Sequence, residues 1–321
     1  MDKRFDLCAI GECLLDVTSS LTADGTAISM NANPGGAPLN VLACASSLGL
    51  KTAFIGKLSS DFAGKFLLSR IRACGIDDSG ITVTSAEPTT LAMVSIDNSG
   101  DRSFSFYREH TSDVMLRWGD VPQDLIASSR FFHFGSVSMT DDPSASATSR
   151  AAEAASKSGC IVSFDPNYRE NLWPSRNLAR VRIRQVLPLC TVVKLSEDEL
   201  ELAAGTEDIR DAADFLISEY SIKLVSVTCG REGAYAFTRK ASSYVPAFPV
   251  KAVDTTGAGD IFWGAFITRM TETGKDPGSL TRSELEGMLR FANAAGGLST
   301  EKKGAISSIP SREEIESLLR E

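Results

Sequence analysis

Val253-Asp254-Thr255-Thr256-Gly257-Ala258-Gly259-Asp260-Ile261-Phe262, followed by Trp263-Gly264-Ala265-Phe266, is the stretch on which the chain's fold and chemistry turn. Its glycines let the backbone turn tightly just where a helical period begins. Successive free N–H groups, with the positive end of the helix dipole behind them, then form a cradle for a phosphate. Asp260 projects from that first turn, where a carboxylate can take the proton of a hydroxyl attacking the cradled phosphate. A glycine turn with an aspartate at a helix start is also common without any such role. Two rival motifs are excluded by position: a dinucleotide fingerprint beginning at Gly257 needs glycine at 262, where Phe262 stands, and no Gly-x-x-x-x-Gly-Lys-Ser/Thr string occurs.

Outward from this motif, short apolar runs alternate with helical-period stretches. Phe5–Ile10, Thr52–Gly56, Phe131–Phe134, Cys160–Phe164, Thr191–Leu195 and Leu224–Thr228 read as strands buried on both faces, rich in Val, Ile and Phe. Between them, Leu39–Leu48, Asp61–Cys74, Pro143–Ser158, Arg176–Val186, Glu197–Ala204 and Asp208–Glu219 read as helices. Two more run from Asp260 to about Met270 and from Arg282 to about Leu298. The alternation predicts an α/β layered fold with a mainly parallel sheet. Leu14–Asn33 and Thr89–Ser112 break the pattern. Both look like alternating strands, with turn signals at Ala23-Asp24-Gly25 and Asn98-Ser99-Gly100. They are either two independent hairpins or one small β-sheet over the main domain. The second reading gives a core of 1–13, 34–88 and 113–321 and a β lid of 14–33 and 89–112.

The 321 residues are 43% hydrophobic and 23% charged, within the globular range, with 41 acidic against 33 basic residues and a net charge of -8. Such a surface repels phosphate backbones and anionic lipid, so neither nucleic acid nor membrane is an expected partner. The seven cysteines are scattered without a C-x-x-C pair and there are only two histidines, which reads as reduced, mostly buried thiols rather than a zinc site. Glu12 and Asp16 arrive before any long apolar run, and no signal peptide or membrane helix is expected. The expected compartment is the cytoplasm.

A second glycine signal, Asn33-Pro34-Gly35-Gly36-Ala37-Pro38-Leu39-Asn40-Val41-Leu42-Ala43, offers close backbone approach before a helix and a carboxamide able to donate and accept. Alone it is equally an ordinary loop and helix start. Together, in this order and at this separation, the two motifs resemble the signatures of the PfkB carbohydrate-kinase family. Gly11-Glu12-x-Leu14-Leu15-Asp16, Ala53-Phe54-Ile55-Gly56-Lys57 and Asp61-x-x-Gly64 match in place, so the resemblance covers nearly the whole chain. Similarity to the fructokinase branch comes from Phe106-Tyr107-Arg108, Phe132-His133-Phe134-Gly135-Ser136, Asp165-Pro166-Asn167-x-Arg169, Leu172-Trp173-Pro174 and Lys194-Leu195-Ser196-Glu197-Asp198-Glu199.

The resemblance implies a ribokinase-like three-layer α/β/α domain with a small β-sheet lid, phosphorylating a sugar with ATP and magnesium. It implies Asp260 as general base and the amides of Gly257, Ala258, Gly259 and Asp260 as anion hole. Asp16, Gly35, Gly36, Asn40, Tyr107, Arg108 and Arg169 would surround the sugar, and Lys194, Thr228, Gly230, Gly233 and Asn293 the nucleotide. Glu199 would act on magnesium through water. Where many relatives have Asn-x-x-Glu, this chain has Ser196-x-x-Glu199, which is also a plain capping box. Asp254, Thr256, Gly304 and Ser308 match positions that supply oxygens to an activating potassium ion. Fructose is the expected sugar. The alternatives are 2-keto-3-deoxygluconate, which the aromatic–Arg pair at 107–108 also suits, ribose or a nucleoside, and a silent sugar-binding relative. A homodimer through the lid is a further expectation. His133 reads as a core or pocket-lining histidine, and Phe262 and Trp263 as core.

Overall fold

The computed structural model describes residues 3–22, 26–96 and 102–320. Among them the strands are β1 (Phe5–Ile10), β2 (Leu14–Leu21), β3 (Ile28–Gly35), β4 (Thr52–Ser59), β5 (Asp77–Thr84), β6 (Leu91–Ile96), β7 (Arg102–Tyr107), β8 (Ser129–Gly135), β9 (Ile161–Asp165), β10 (Val192–Ser196), β11 (Leu224–Thr228), β12 (Ala234–Phe237) and β13 (Ser242–Val245). The helices are α1 (Ala37–Ser47), α2 (Phe62–Ala73), α3 (Gln123–Ala127), α4 (Ser144–Lys157), α5 (Arg176–Val186), α6 (Leu200–Ala204), α7 (Ile209–Glu219), α8 (Ala258–Thr273), α9 (Arg282–Ser299) and α10 (Arg312–Leu318).

The large sheet runs β13-β12-β11-β10-β9-β8-β1-β4-β5. Its pairings are parallel from β5 to β11, and only the β11-β12-β13 edge is antiparallel. Alternation along each strand explains the three layers. Cys8 and Ile10 of β1, with Phe132 and Phe134 of β8, pack into one apolar core. Leu7, Ala9 and Phe131 point the other way into a second. Residues of α4 to α7 line the first core and residues of α1, α8 and α9 the second. Phe131, Phe132 and Phe134 are fully buried; at about 1.5–3 kcal/mol per large side chain, β8 is a main anchor of both faces. Helix starts follow local chemistry: Asp61, Ser175 and Asp208 each cap a helix through a backbone N–H three residues on.

The second sheet has four strands in the order β3-β2-β6-β7. Its two halves come from the two segments that break the α/β alternation, joined by parallel pairing of β2 with β6. The two expected turns, at 23–25 and 98–100, lie outside the described residues. β3 continues through Asn33-Pro34-Gly35, which the sequence places in a loop, because Leu14, Leu15 and Asp16 keep pairing with them. The segment Glu197–Ala204 is one 3-10 turn followed by a short helix rather than a single helix. β5, the β12–β13 hairpin, α3 and α10 have no counterpart in the sequence reading.

Strand order reverses direction at β1, which has β4 on one side and β8 on the other. The carboxyl ends of β8 to β11 open beside that switch, where open α/β sheets bind ligands.

Candidate active site

Gly257 precedes α8 with φ 75, and a Cβ there would lie 2.5 Å from the Ala305 Cβ, so both conformation and space call for glycine. The first turn of α8 presents N–H groups without helical acceptors. The Ala258 amide turns back to Thr255 O at 3.3 Å.

Asp260 is 7% exposed and sits between two carboxamides. Asn40 Nδ2 donates to its Oδ2 at 2.8 Å, and Asn167 Nδ2 to its Oδ1 at 3.3 Å. Burial pushes its pKa up to about 6, Asp165 adds to the rise, and the Asn40 bond, Lys194 and Arg169 oppose it. Such a group is mostly ionised at neutral pH yet basic enough to take a proton, as a general base requires. Asn40 is buried, and its Oδ1 has no hydrogen-bond partner; a hydroxyl donor would satisfy it.

Lys194 Nζ donates to Asp165 Oδ2 at 2.7 Å in a buried ion pair. Burial works against its charge, but Asp165, Glu199 and Asp260 outweigh that and hold its pKa up. A Cβ on Gly259 would come 3.3 Å from Nζ, so the ammonium lies against the first turn of α8. Glu199 is buried, with Oε1 accepting the Tyr168 N–H at 2.7 Å and Oε2 the Ser196 N–H at 2.8 Å. Burial raises its pKa and Asp165 raises it further.

Two clefts meet at this point. One, of about 600 Å³, is lined by Thr228, Gly230, Gly233, Phe248, Phe262 and Asn293 among others. The other, of about 880 Å³, is lined by Arg169, Lys194, Glu199, Gly257 and Asp260 among others. Thr228, Thr255 and Gly259 line both. Asn293 is held in the first cleft by donating to Val245 O at 2.9 Å.

Asp16, on β2, has its pKa pushed up to about 6 by burial, with Arg169 opposing and Asp254 adding. A Cβ on Gly35 would lie 2.1 Å from Asp16 Oδ2, so the backbone there comes as close as glycine alone permits. Arg169 is exposed and acts on both Asp16 and Asp260. Gly36 caps α1 and so brings Asn40 inward. Tyr107 is 65% exposed at the end of β7.

Arg108 is placed differently from the rest. Its Nε donates to Asp113 at 2.8 Å, Nη1 to Thr140 Oγ1 at 2.6 Å and Nη2 to Val137 O at 3.1 Å. It lines a separate pocket, with Ser105, Phe106 and Thr140 among others.

Asp254 draws three of the four remaining residues together. Its Oδ1 accepts from the Thr256 N–H at 3.0 Å and Oγ1 at 2.7 Å, and its Oδ2 from the Gly304 N–H at 3.0 Å. Ser308 follows in the same segment, buried, donating to Ala305 O at 2.9 Å. His133 is a buried core histidine with Nδ1 2.9 Å from Ser163 Oγ, and burial pushes its pKa down to about 4. Trp263 is buried and donates to the same hydroxyl at 2.9 Å.

Sequence reasoning missed three contributors. Asp165 and Asn167 stand in a stretch noted only for its resemblance, and Asn167 takes a left-handed φ of 47, which asparagine tolerates better than most. Gly296, whose added Cβ would sit 3.1 Å from Ala258 O, lets α9 line the first cleft. The signal for it was the small run Ala294-Ala295-Gly296-Gly297.

An apolar cleft and a polar cleft converging on a helix N-terminus, beside a buried carboxylate and an ammonium, define a phosphotransferase of small molecules. Residues 4–312 match the description pfkB family carbohydrate kinase. Fructokinase-1 of Zea mays is 41% identical over 287 residues, 89% of this chain and 88% of its own length. A fructokinase with bound ATP from Xylella fastidiosa superposes with a TM-score of 0.90 at 33% identity, over 99% of this chain and 98% of that one. A fructokinase double mutant from Vibrio cholerae O395, in a form with fructose, ADP and potassium ion bound, gives 0.86 at 28% identity over 99% of each. The chain belongs to the pfkB family of carbohydrate kinases and has the ribokinase-like fold.

Proposed function

We propose that the chain is an ATP-dependent fructokinase, transferring the γ-phosphoryl group of ATP to the 6-hydroxyl of D-fructose. The observation that carries the chemistry is Asp260, buried between Asn40 and Asn167 where the two clefts meet. The choice of fructose follows from the relatives, fructokinases by name at up to 41% identity. The adenosine part of ATP fits the cleft of Thr228, Gly230, Gly233 and Asn293, which directs the phosphates at the first turn of α8. Asp16 and Asn40 bond sugar hydroxyls, with Gly35 and Gly36 letting the backbone close on the ring. Asp260 takes the 6-hydroxyl proton as its oxygen bonds to phosphorus and the bond to the leaving ADP oxygen breaks. The Gly257–Asp260 turn and Lys194 stabilise the developing charge.

The small sheet acts as a lid that excludes water during transfer. Magnesium would neutralise phosphate charge in the acidic cleft. Glu199 fits that role only through water, since both its carboxylate oxygens already accept backbone N–H groups. Potassium would sit in the loop gathered by Asp254, Thr256, Gly304 and Ser308. Ile28 and Met30, 59% and 57% exposed on β3, support a homodimer through the lid. Seven free cysteines, six of them buried, suit the cytoplasm, and no helix among the described residues is long and apolar enough to cross a membrane.

Arg108 bears on the main competitor. A sugar acid calls for a guanidinium fork for its carboxylate. Arg108 is already paired with Asp113, which favours a neutral sugar, and Arg169 alone of the two stays exposed. The test is kcat/KM for fructose, 2-keto-3-deoxygluconate, ribose and adenosine under identical magnesium and potassium. Fructose should lead by at least about tenfold, or about 1.4 kcal/mol of transition-state discrimination. Preference for the sugar acid overturns the fructose assignment, and no turnover with any of the four overturns the kinase itself.

A further inference from the structure

The small sheet meets the core at four crossings of the chain. One leaves β1 and enters β2 at Leu14, and the next returns from β3 at Gly35 into α1 at Ala37. Glu12 lies on the first of these and is 3% exposed. Its Oε1 accepts the Ala37 N–H at 2.8 Å, so one side chain fastens the outgoing crossing to the returning one. The backbones touch as well: a Cβ on Gly36 would lie 2.3 Å from Glu12 O. Ala37 opens the helix whose Asn40 donates to Asp260.

The other two crossings are closed by a second buried carboxylate. Asp113 accepts from Arg108 Nε at 2.8 Å, from Thr111 Oγ1 at 2.9 Å and from Thr90 Oγ1. Asp113 is thus fully supplied with donors, whereas Glu12 Oε2 is buried with no partner. Keeping a carboxyl in such a place is costly unless it serves something. Burial pushes it up to about 7, with Arg108 opposing and Asp113 adding. Glu12 is buried and its Oε1 is taken by the Ala37 backbone, so it acts through α1 rather than on a ligand.

We propose that Glu12 is a positioning residue for phosphoryl transfer: it fixes the first turn of α1 to the root of the small sheet and so keeps Asn40 on Asp260. This rests on the kinase reading above. Sub-ångström displacement of a reacting group is costly, and a shift of about 1 Å can lower turnover about 100-fold.

The test compares the parent with Glu12→Ala, Glu12→Asp and Glu12→Gln in steady-state kinetics with fructose and ATP. Ala and Asp lack an acceptor within reach of Ala37 and should lower kcat about tenfold or more, with the KM for ATP changed less than about twofold. Gln keeps an acceptor oxygen in place and should return to within about threefold of the parent. If Ala fails to fold, the Asp and Gln pair decides. Parent-like kinetics in folded Glu12→Asp, an ATP KM that rises in step with the lost turnover, or no rescue by Gln would each overturn the proposal. Fructose turnover by the parent tests the kinase reading separately. Amide exchange at Ala37, faster in Asp than in Gln, reads the fastening without any substrate.

Discussion

Replacing Asp260 by asparagine should separate activity from stability. Loss of a general base lowers rate by about 10²–10⁴, or about 3–5 kcal/mol of transition-state stabilisation. Stability should move the other way or not at all. The Asp260 pKa rises from 3.8 to about 6 on folding, which at neutral pH corresponds to about 3 kcal/mol working against the folded state. Asparagine removes that charge. It also loses one acceptor, because a single carboxamide oxygen cannot receive from both Asn40 and Asn167, and an unpaired buried donor costs about 1–3 kcal/mol. The net is about 0–2 kcal/mol in favour of the variant at pH 8. The folded parent binds the proton more tightly than the unfolded chain, so this group's contribution to stability falls as pH rises from about 4 to about 6. The advantage of the variant should therefore turn into a deficit of about 1–3 kcal/mol below about pH 4 and level off above about pH 7. Thermal melts across that range and an ADP-release assay measure both quantities. Turnover within a few-fold of the parent would refute the base assignment.

Parent kcat/KM for fructose should fall on acidification through about pH 6, as Asp260 and Asp16 take up protons; a flat profile down to pH 5 contradicts this. Lys194→Met leaves Asp165 buried and uncompensated, so stability should drop by about 3–5 kcal/mol, and adding Asp165→Asn should recover part of the stability but not the activity. Replacing sodium by potassium at constant ionic strength should raise turnover, and Asp254→Ala should abolish the difference; equal rates in both salts count against the cation loop. Amide exchange in β2, β3 and β7 should slow at saturating fructose, and unchanged exchange would remove the lid role.

Elements buried on both faces were the most legible. β1 and β11 begin and end where their apolar runs do, since a strand sandwiched between helix layers has no polar side to blur its limits. β5 was invisible because Asp77–Thr84 is a half-exposed edge strand with a polar sequence, and β12 and β13 because four residues each are too few to show a period. In the site, Gly257 and Asp260 could be read from local backbone chemistry. Asn167 could not, because its partner Asp260 is 93 residues away. Arg108 was expected at the sugar; its ion pair with Asp113 and its bonds to Val137 and Thr140, which only the fold brings near, were not legible. Glu12 was visible as an acid between Gly11 and Cys13, but nothing nearby in sequence names Ala37 as its partner.

The parallel pairing of β2 with β6 has a consequence for synthesis. The ribosome makes β2 and β3 together, but β6 follows about 70 residues later. At roughly 5–20 residues per second, the nascent chain carries β2 with one edge open for several seconds. An open edge is a template for a neighbouring chain on the same message. The sequence of β2, Leu14-Leu15-Asp16-Val17-Thr18-Ser19-Ser20-Leu21, sets a charge near one end and hydroxyls through the middle. Asp16 thus places a charge on that open edge, which disfavours pairing with a neighbouring chain.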